Sequence, residues 1–171
     1  MKMNLSLRLG IAAGVGTILF MMTFYIFRKA LFFDTYVYYS SLSVTIVCMW
    51  IGGNRLLEKP DTSFPLVLKN LFLIFIVSEI LYFGWYYYLV NYLDKPLLDV
   101  QKMQMIKYLQ DLKIKTTDIT EAQQLTQSIQ ELEVKGLPEV GIKSVLLQLG
   151  RGIIGGFVLS YLLTLVIMRR R

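Results

Sequence analysis

Four long apolar runs, at about 9–27, 36–53, 66–90 and 145–168, are interrupted by one polar stretch of any size, 94–143. Each run is close to the ~20 residues that carry a helix across a hydrocarbon core of ~30 Å. The 171 residues are 55% hydrophobic, and those residues gather in unbroken runs instead of one-sided stripes, the composition of a membrane protein. The expected fold is a single all-α integral membrane domain over 1–171. It has four transmembrane helices and an extracytoplasmic two-helix insertion between the third and fourth. The first run is too long for the apolar core of a signal peptide, and Phe27-Arg28-Lys29-Ala30 is a poor cleavage site, so it reads as a retained helix.

Charge gives the runs a direction. The formal charge of +6 is spread along the edges of the runs, at Lys2, Arg8, Arg55, Lys59, Lys69, Arg169, Arg170 and Arg171. That is a topology signal and not a nucleic-acid-binding face. Counting short loops and flanks, the positive-inside rule puts both termini in the cytoplasm, with Arg28 and Lys29 dissenting. The aromatic residues agree. Phe24, Tyr25, Phe27, Phe32, Phe33, Tyr36, Tyr38, Tyr39, Tyr82, Trp85, Tyr86, Tyr87, Tyr88 and Tyr92 all fall near the outer interface, where amphipathic rings prefer to sit. They read as an aromatic belt or, more sharply, as a contact surface for a lipid or polyprenyl chain.

The residue types exclude much chemistry. With no histidine and one cysteine, histidine shuttles, Ser-His-Asp triads, histidine-ligated metals and intrachain disulfides are absent. Cys48 lies inside the second run as a small apolar packer. No catalytic residue, metal ligand or cofactor site is marked. Gly136-x4-Gly141-Ile142-Lys143-Ser144 imitates a phosphate-binding loop, but it has one residue too many before the lysine and no preceding strand.

In the polar stretch, Asp94-Lys95-Pro96 reads as a helix start with Asp94 as its N-cap. Leu98, Met105, Leu109 and Leu112 then share one face. Asp118-Ile119-Thr120-Glu121 resembles a second capping box, followed by Ala122, Leu125, Ile129 and Leu132 on one face. Gly136 and Pro138 supply the stop. Lys95, Lys102, Lys107, Lys113 and Lys115 make the first helix basic; Asp118, Glu121, Glu131 and Glu133 make the second acidic. The expectation is an antiparallel hairpin whose charges guide register while apolar burial holds it. The apolar stripe (Leu98, Met105, Leu109, Leu112, Leu125, Ile129, Leu132) is the candidate docking surface for a partner.

Glu79, near the middle of the third run, costs energy. Translocon scales charge ~2.5–3.5 kcal/mol for a comparable residue at a span's centre, so it should face the bundle interior or be carried neutral. Arg151, a turn or two inside the fourth run, is close enough in height to pair with it directly or through a water. Gly10-x-x-x-Gly14 and Gly152-x-x-x-Gly156-x-x-x-Ser160 permit close helix approach, within the chain or as a dimer face.

The order of parts resembles the small four-span bacterial membrane proteins of the family called domain of unknown function 4199. The features that carry the likeness are Leu9-Gly10-Ile11-Ala12-Ala13-Gly14, a tyrosine-rich start to the second run and a polar turn at 60–65. To these add Tyr92-Leu93-Asp94-Lys95-Pro96, the charged helical insert and a last run ending in basic residues. The likeness covers nearly the whole chain as a pattern of hydropathy and loop lengths. It implies the bacterial inner (cytoplasmic) membrane and brings no known active site. The leading expectation is a non-enzymatic accessory or scaffold subunit that meets the lipid bilayer and either a larger membrane protein or further copies of itself as a homo-oligomer. A small transporter or lipid-handling protein using Glu79 and Arg151 is the alternative. A membrane enzyme comes third.

Overall fold

The computed structural model describes residues 4–58, 61–137 and 140–170; Lys2, Lys59, Pro60, Pro138 and Arg171, named above, lie outside them. The described residues form helices α1 (Leu5–Phe27), α2 (Lys29–Phe32), α3 (Thr35–Leu57), α4 (Phe64–Tyr88), α5 (Leu97–Lys115), α6 (Ile119–Lys135) and α7 (Ile142–Met168), with no strand among them. The last turns of α4 widen into a π-helical turn, Leu89–Leu93, closed by the Asp94 N–H on the Leu89 carbonyl.

The four apolar runs become α1, α3, α4 and α7; α1, α3 and α7 reach past their runs into polar residues, while α4 starts two residues early at Phe64-Pro65. Hydropathy shows where an apolar run stops, whereas caps decide where a helix stops. Asn4 accepts from the Ser6 N–H, Asp34 accepts from the Tyr36 and Val37 N–H groups, and Pro65 sits in the first turn of α4. Three helices, Leu5–Phe27, Phe64–Leu93 and Ile142–Met168, are long and apolar enough to cross a membrane. These are the lengths and compositions of a membrane protein. α3 is as long as α1, at 23 residues. Ser40, Ser41, Ser43, Thr45 and its tyrosines hold its apolarity lower, so it is not among the three.

α4 is the centre of the bundle. Half of its most apolar stretch is buried, against 28% for α1 and 22% for α7. α1 runs parallel to it: the Ser6 hydroxyl meets Asn70 Oδ1 at 2.5 Å, Gly10 lies against Val77, and Gly14 lies against Leu81. α7 runs antiparallel on another side, with Gly152 opposite Glu79, Gly156 on Phe75, Phe157 on Phe72 and Tyr161 on Phe64.

Two apolar cores stack along the bundle. At the end that carries the termini, Ala13, Met49, Leu56, Val67, Leu71, Ile74, Phe75 and Ile167 pack together. At the hairpin end, Met21, Phe32, Tyr82, Phe83, Tyr86, Leu89, Val90, Leu97 and Val145 do so. Between them α1, α3, α4 and α7 each contribute something polar or small: Thr17 from α1, Ser41 and Thr45 from α3, Ser78 and Glu79 from α4, Gly152 from α7. Thr45 and Ser78 share a buried hydrogen bond of 3.0 Å across this layer. Arg170 closes the terminal end by lying 4.6 Å from the centre of the Trp50 ring, a cation–π contact.

At the other end α5 and α6 pack on each other, and α5 touches α2. The Gln104 amide donates to the Ala30 carbonyl, and Asn91 Nδ2 donates to the Val140 carbonyl at 3.1 Å. Asp118 caps α6 through the Thr120 N–H, and Gly136 ends it at φ 73°, a conformation side chains disfavour. Two expectations change. Among the described residues no ion pair joins α5 to α6; Lys102 Nζ instead donates to the Glu133 carbonyl at 3.0 Å. Exposed charge pairs are too weak to hold two long side chains in place, so apolar contact sets the hairpin. Asp94, expected to cap α5, is not its N-cap residue, because the helix begins behind Pro96. Its carboxylate still draws on the Leu97 backbone N–H at the helix start, and its other partners are Tyr25 and Lys29.

Candidate functional site

A cavity of ≈ 440 Å³ opens at the hairpin end, among α2, α3, α4, α5 and α7. That volume lies within the ~300–1,000 Å³ usual for a ligand pocket. Its walls are mostly rings: Phe32 and Phe33 around the end of α2, Tyr38 and Tyr39 from α3, and Tyr82, Phe83 and Tyr86 from α4. Thr35, Gln101, Gln148, Arg151 and Gly152 complete it. The rings brace one another. Phe32 stacks on Tyr86 at 6.3 Å between centroids, and Tyr38 packs on Tyr82 at 6.2 Å. Such flat, rigid groups do not interdigitate as aliphatic chains do, and at this level α7 presents only Gly152 and the polar Gln148 and Arg151. At the terminal end α3 and α7 do meet, with Ile167 seated against Gly53.

Glu79 lies just behind the wall. It is 5% exposed, and its Oε2 has no hydrogen-bond partner among the described residues. That oxygen points at Gly152, where an added methyl would sit 3.5 Å away. Tyr38 and Tyr82, both cavity walls, are within its electrostatic reach. The expected Glu79–Arg151 ion pair does not form; the ion pair found among the described residues is Lys29–Asp94. The cause is helix geometry. Neighbouring residues point ~100° apart around a helix, so when Gly152 faces α4, Arg151 is turned away from it to the cavity's edge. The two charges therefore flank one wall without touching.

A second polar cluster clamps the hairpin end. Asp94 Oδ2 accepts from the Tyr25 hydroxyl at 2.9 Å and from Lys29 Nζ, joining α1, α2 and the α4–α5 junction. The hydrogen bond from Lys29 holds the Asp94 carboxyl below the usual carboxylate range, with Tyr25 assisting. The same bond holds the Lys29 ammonium above its ordinary value.

The other sequence-marked residues have been placed as follows. Gly10, Gly14 and Gly156 are buried and pack on α4; Ser160 is buried, and its hydroxyl bonds back to the Gly156 carbonyl at 2.7 Å. Both small-residue ladders thus meet the central helix and not each other. Ile129 is buried in the hairpin, Leu98, Leu109, Leu112, Leu125 and Leu132 are half-buried, and Met105 is exposed. Sequence reasoning grouped Tyr38, Tyr82 and Tyr86 with an aromatic belt or a lipid or polyprenyl contact surface and gave Gln101 and Gln148 no role. Clustering of rings on the last turns of α4 was the available signal, but nothing in one sequence says that rings enclose a space. No family model, curated protein or solved structure matches the chain.

Proposed function

We propose that this is a non-enzymatic lipid-handling membrane protein that holds an amphiphile with an anionic headgroup in the aromatic cavity. On this reading α1, α3, α4 and α7 all cross the bilayer and both termini are cytoplasmic. The cavity and the α5–α6 hairpin then lie at the extracytoplasmic side of a bacterial inner membrane, in keeping with the family resemblance. The observation that carries the reading is the cavity itself: apolar rings for walls, with Arg151, Gln101 and Gln148 as the polar groups on its lining. Arginine is the side chain suited to forked hydrogen bonding of phosphate. The test is titration of the purified protein with an alkyl phosphate, followed by native mass spectrometry. Losing one charge-assisted contact, worth ~1.5–3 kcal/mol, should weaken binding by roughly ten- to a hundredfold in Arg151→Gln. Equal binding by wild type and variant sinks the proposal.

A second reading, an accessory or scaffold subunit, draws on the hairpin. α6 packs against α5, and Ile114, Ile119 and Val134 at the hairpin's two ends are 83%, 76% and 85% exposed. It is weaker in one respect. The small-residue faces of α1 and α7 are already used on α4, and the apolar stripe of the hairpin is largely turned inward.

A further inference from the structure

We infer that the headgroup is zwitterionic: its phosphate sits at Arg151, and a primary ammonium lies against the Gly152 wall, opposite the Glu79 carboxyl. This rests on the lipid-handling reading and specifies its ligand. Among the described residues Glu79 is a buried carboxyl without a cation, in a place where an unpaired polar oxygen is expensive. It is aimed at Gly152, the one wall position that carries no side chain, and no other group lies within 4 Å of where a side chain there would begin. Tyr38 and Tyr82 line the same cavity, and tyrosine ring faces attract a cation. A primary ammonium carries N–H donors that can satisfy Oε2; a trimethylammonium carries none and is bulkier.

Arg151 and Gly152 are consecutive, with Cα atoms ~3.8 Å apart. Both line the same cavity, so one headgroup can meet both. The acyl chains have a surface as well. Leu146, Leu147, Ile153 and Ile154 flank Gln148 and Arg151 on α7 and are 62%, 59%, 40% and 71% exposed. A membrane lipid fits that strip; a soluble headgroup leaves it uncovered.

The experiment titrates the protein in detergent with phosphatidylethanolamine, phosphatidylcholine and phosphatidylglycerol of matched chains. The readout is fluorescence of Trp85, which packs on the cavity residues Phe32 and Tyr82 at 5.9 and 6.1 Å. Wild type should prefer the ethanolamine lipid by about tenfold over the other two, since a site built to hydrogen-bond rejects analogues that lack the group. Glu79→Gln should bring the three lipids within about twofold of one another while phosphatidylglycerol still binds. Gly152→Ala puts a methyl in ordinary contact with Oε2 and should do the same with Glu79 in place, carrying the test should Glu79→Gln not fold. Arg151→Gln should weaken all three lipids together. Equal binding of the three lipids by wild type, or an ethanolamine preference that survives both Glu79→Gln and Gly152→Ala, overturns the ammonium assignment and leaves the lipid-handling reading standing. No binding of any lipid removes both. Free phosphoethanolamine should not compete; full competition overturns the lipid source in favour of a soluble ligand.

Discussion

The two ends of the bundle use the same helices and solve packing differently. At the terminal end aliphatic chains fill the space around α4, and Gly53 and Gly156 admit neighbours that any side chain would push away. At the hairpin end the space is framed by rings packed on one another, and a cavity remains. Backbone proximity in the one and rigid large groups in the other follow from residue size alone. The terminal end should behave as a scaffold that tolerates little, while the hairpin end keeps room for a ligand. The layer between them, with its hydroxyls and Glu79, is where one regime gives way to the other.

The largest effect should come from breaking the tight end's seam. A methyl on Gly156 would run into the Phe75 ring, so Gly156→Ala must push α7 off α4 or turn the ring out of its place. Overpacking of this kind costs ~1–3 kcal/mol. Gly155→Ala, one residue away with nothing within 4 Å of its added methyl, should instead be neutral or stabilise by a few tenths, since alanine favours helix over glycine. Thermal unfolding in detergent reads both. Equal midpoints for the two variants would show that the α4–α7 seam is not as close as described.

Next in size is the polar layer. Thr45→Val removes one half of the 3.0 Å bond and leaves the Ser78 hydroxyl buried without its partner, costing ~0.5–1.5 kcal/mol. Thr17 is the contrast: its buried Oγ1 has no hydrogen-bond partner among the described residues, so Thr17→Val should be neutral or slightly stabilising. Opposite signs for two Thr→Val changes at one level of the bundle are the expected result. A shared sign would mean that the layer acts only by volume.

How much of this was legible beforehand follows from the range of each interaction. The long helices and the cap at Asp118 are local, set by runs and by residues two or three apart, and they stand where composition put them. The small-residue ladders were legible as close-approach faces, but their common partner was not, because it depends on how α1 and α7 register on α4. Glu79 was recognisable as costly from its position in the run. Its aim at Gly152, and the turning away of Arg151, depend on the rotation of α7 about its axis, which no spacing within one helix reveals. A cavity is harder still, since it consists of side chains that fail to meet.

The smallest effect, and the one that tests the looser end on its own, concerns Asp94. Sequence spacing read it as a helix cap, whereas its partners Tyr25 and Lys29 lie 69 and 65 residues away. Because the folded carboxyl is held below its unfolded value of ~3.9, its contribution is fully present above that pH and is lost as the pH falls through the folded value. Lys29 is shifted the other way. Its contribution is present below ~10.4 and is lost as the pH rises through the raised folded value. The clamp should therefore hold across neutral pH and slacken at both extremes. Asp94→Asn keeps an oxygen for Tyr25 and Lys29 but removes the charge, so it should lower the unfolding midpoint by a few degrees at neutral pH. As the pH falls from ~3.9 through the lower folded value, the wild-type and variant midpoints should converge, because the unfolded carboxyl takes up its proton first and the folded one follows. A difference that stays constant from pH 7 to pH 3 would show that Asp94 acts by shape and not by charge. The hairpin end would then be held by ring packing and neutral hydrogen bonds and not by charge.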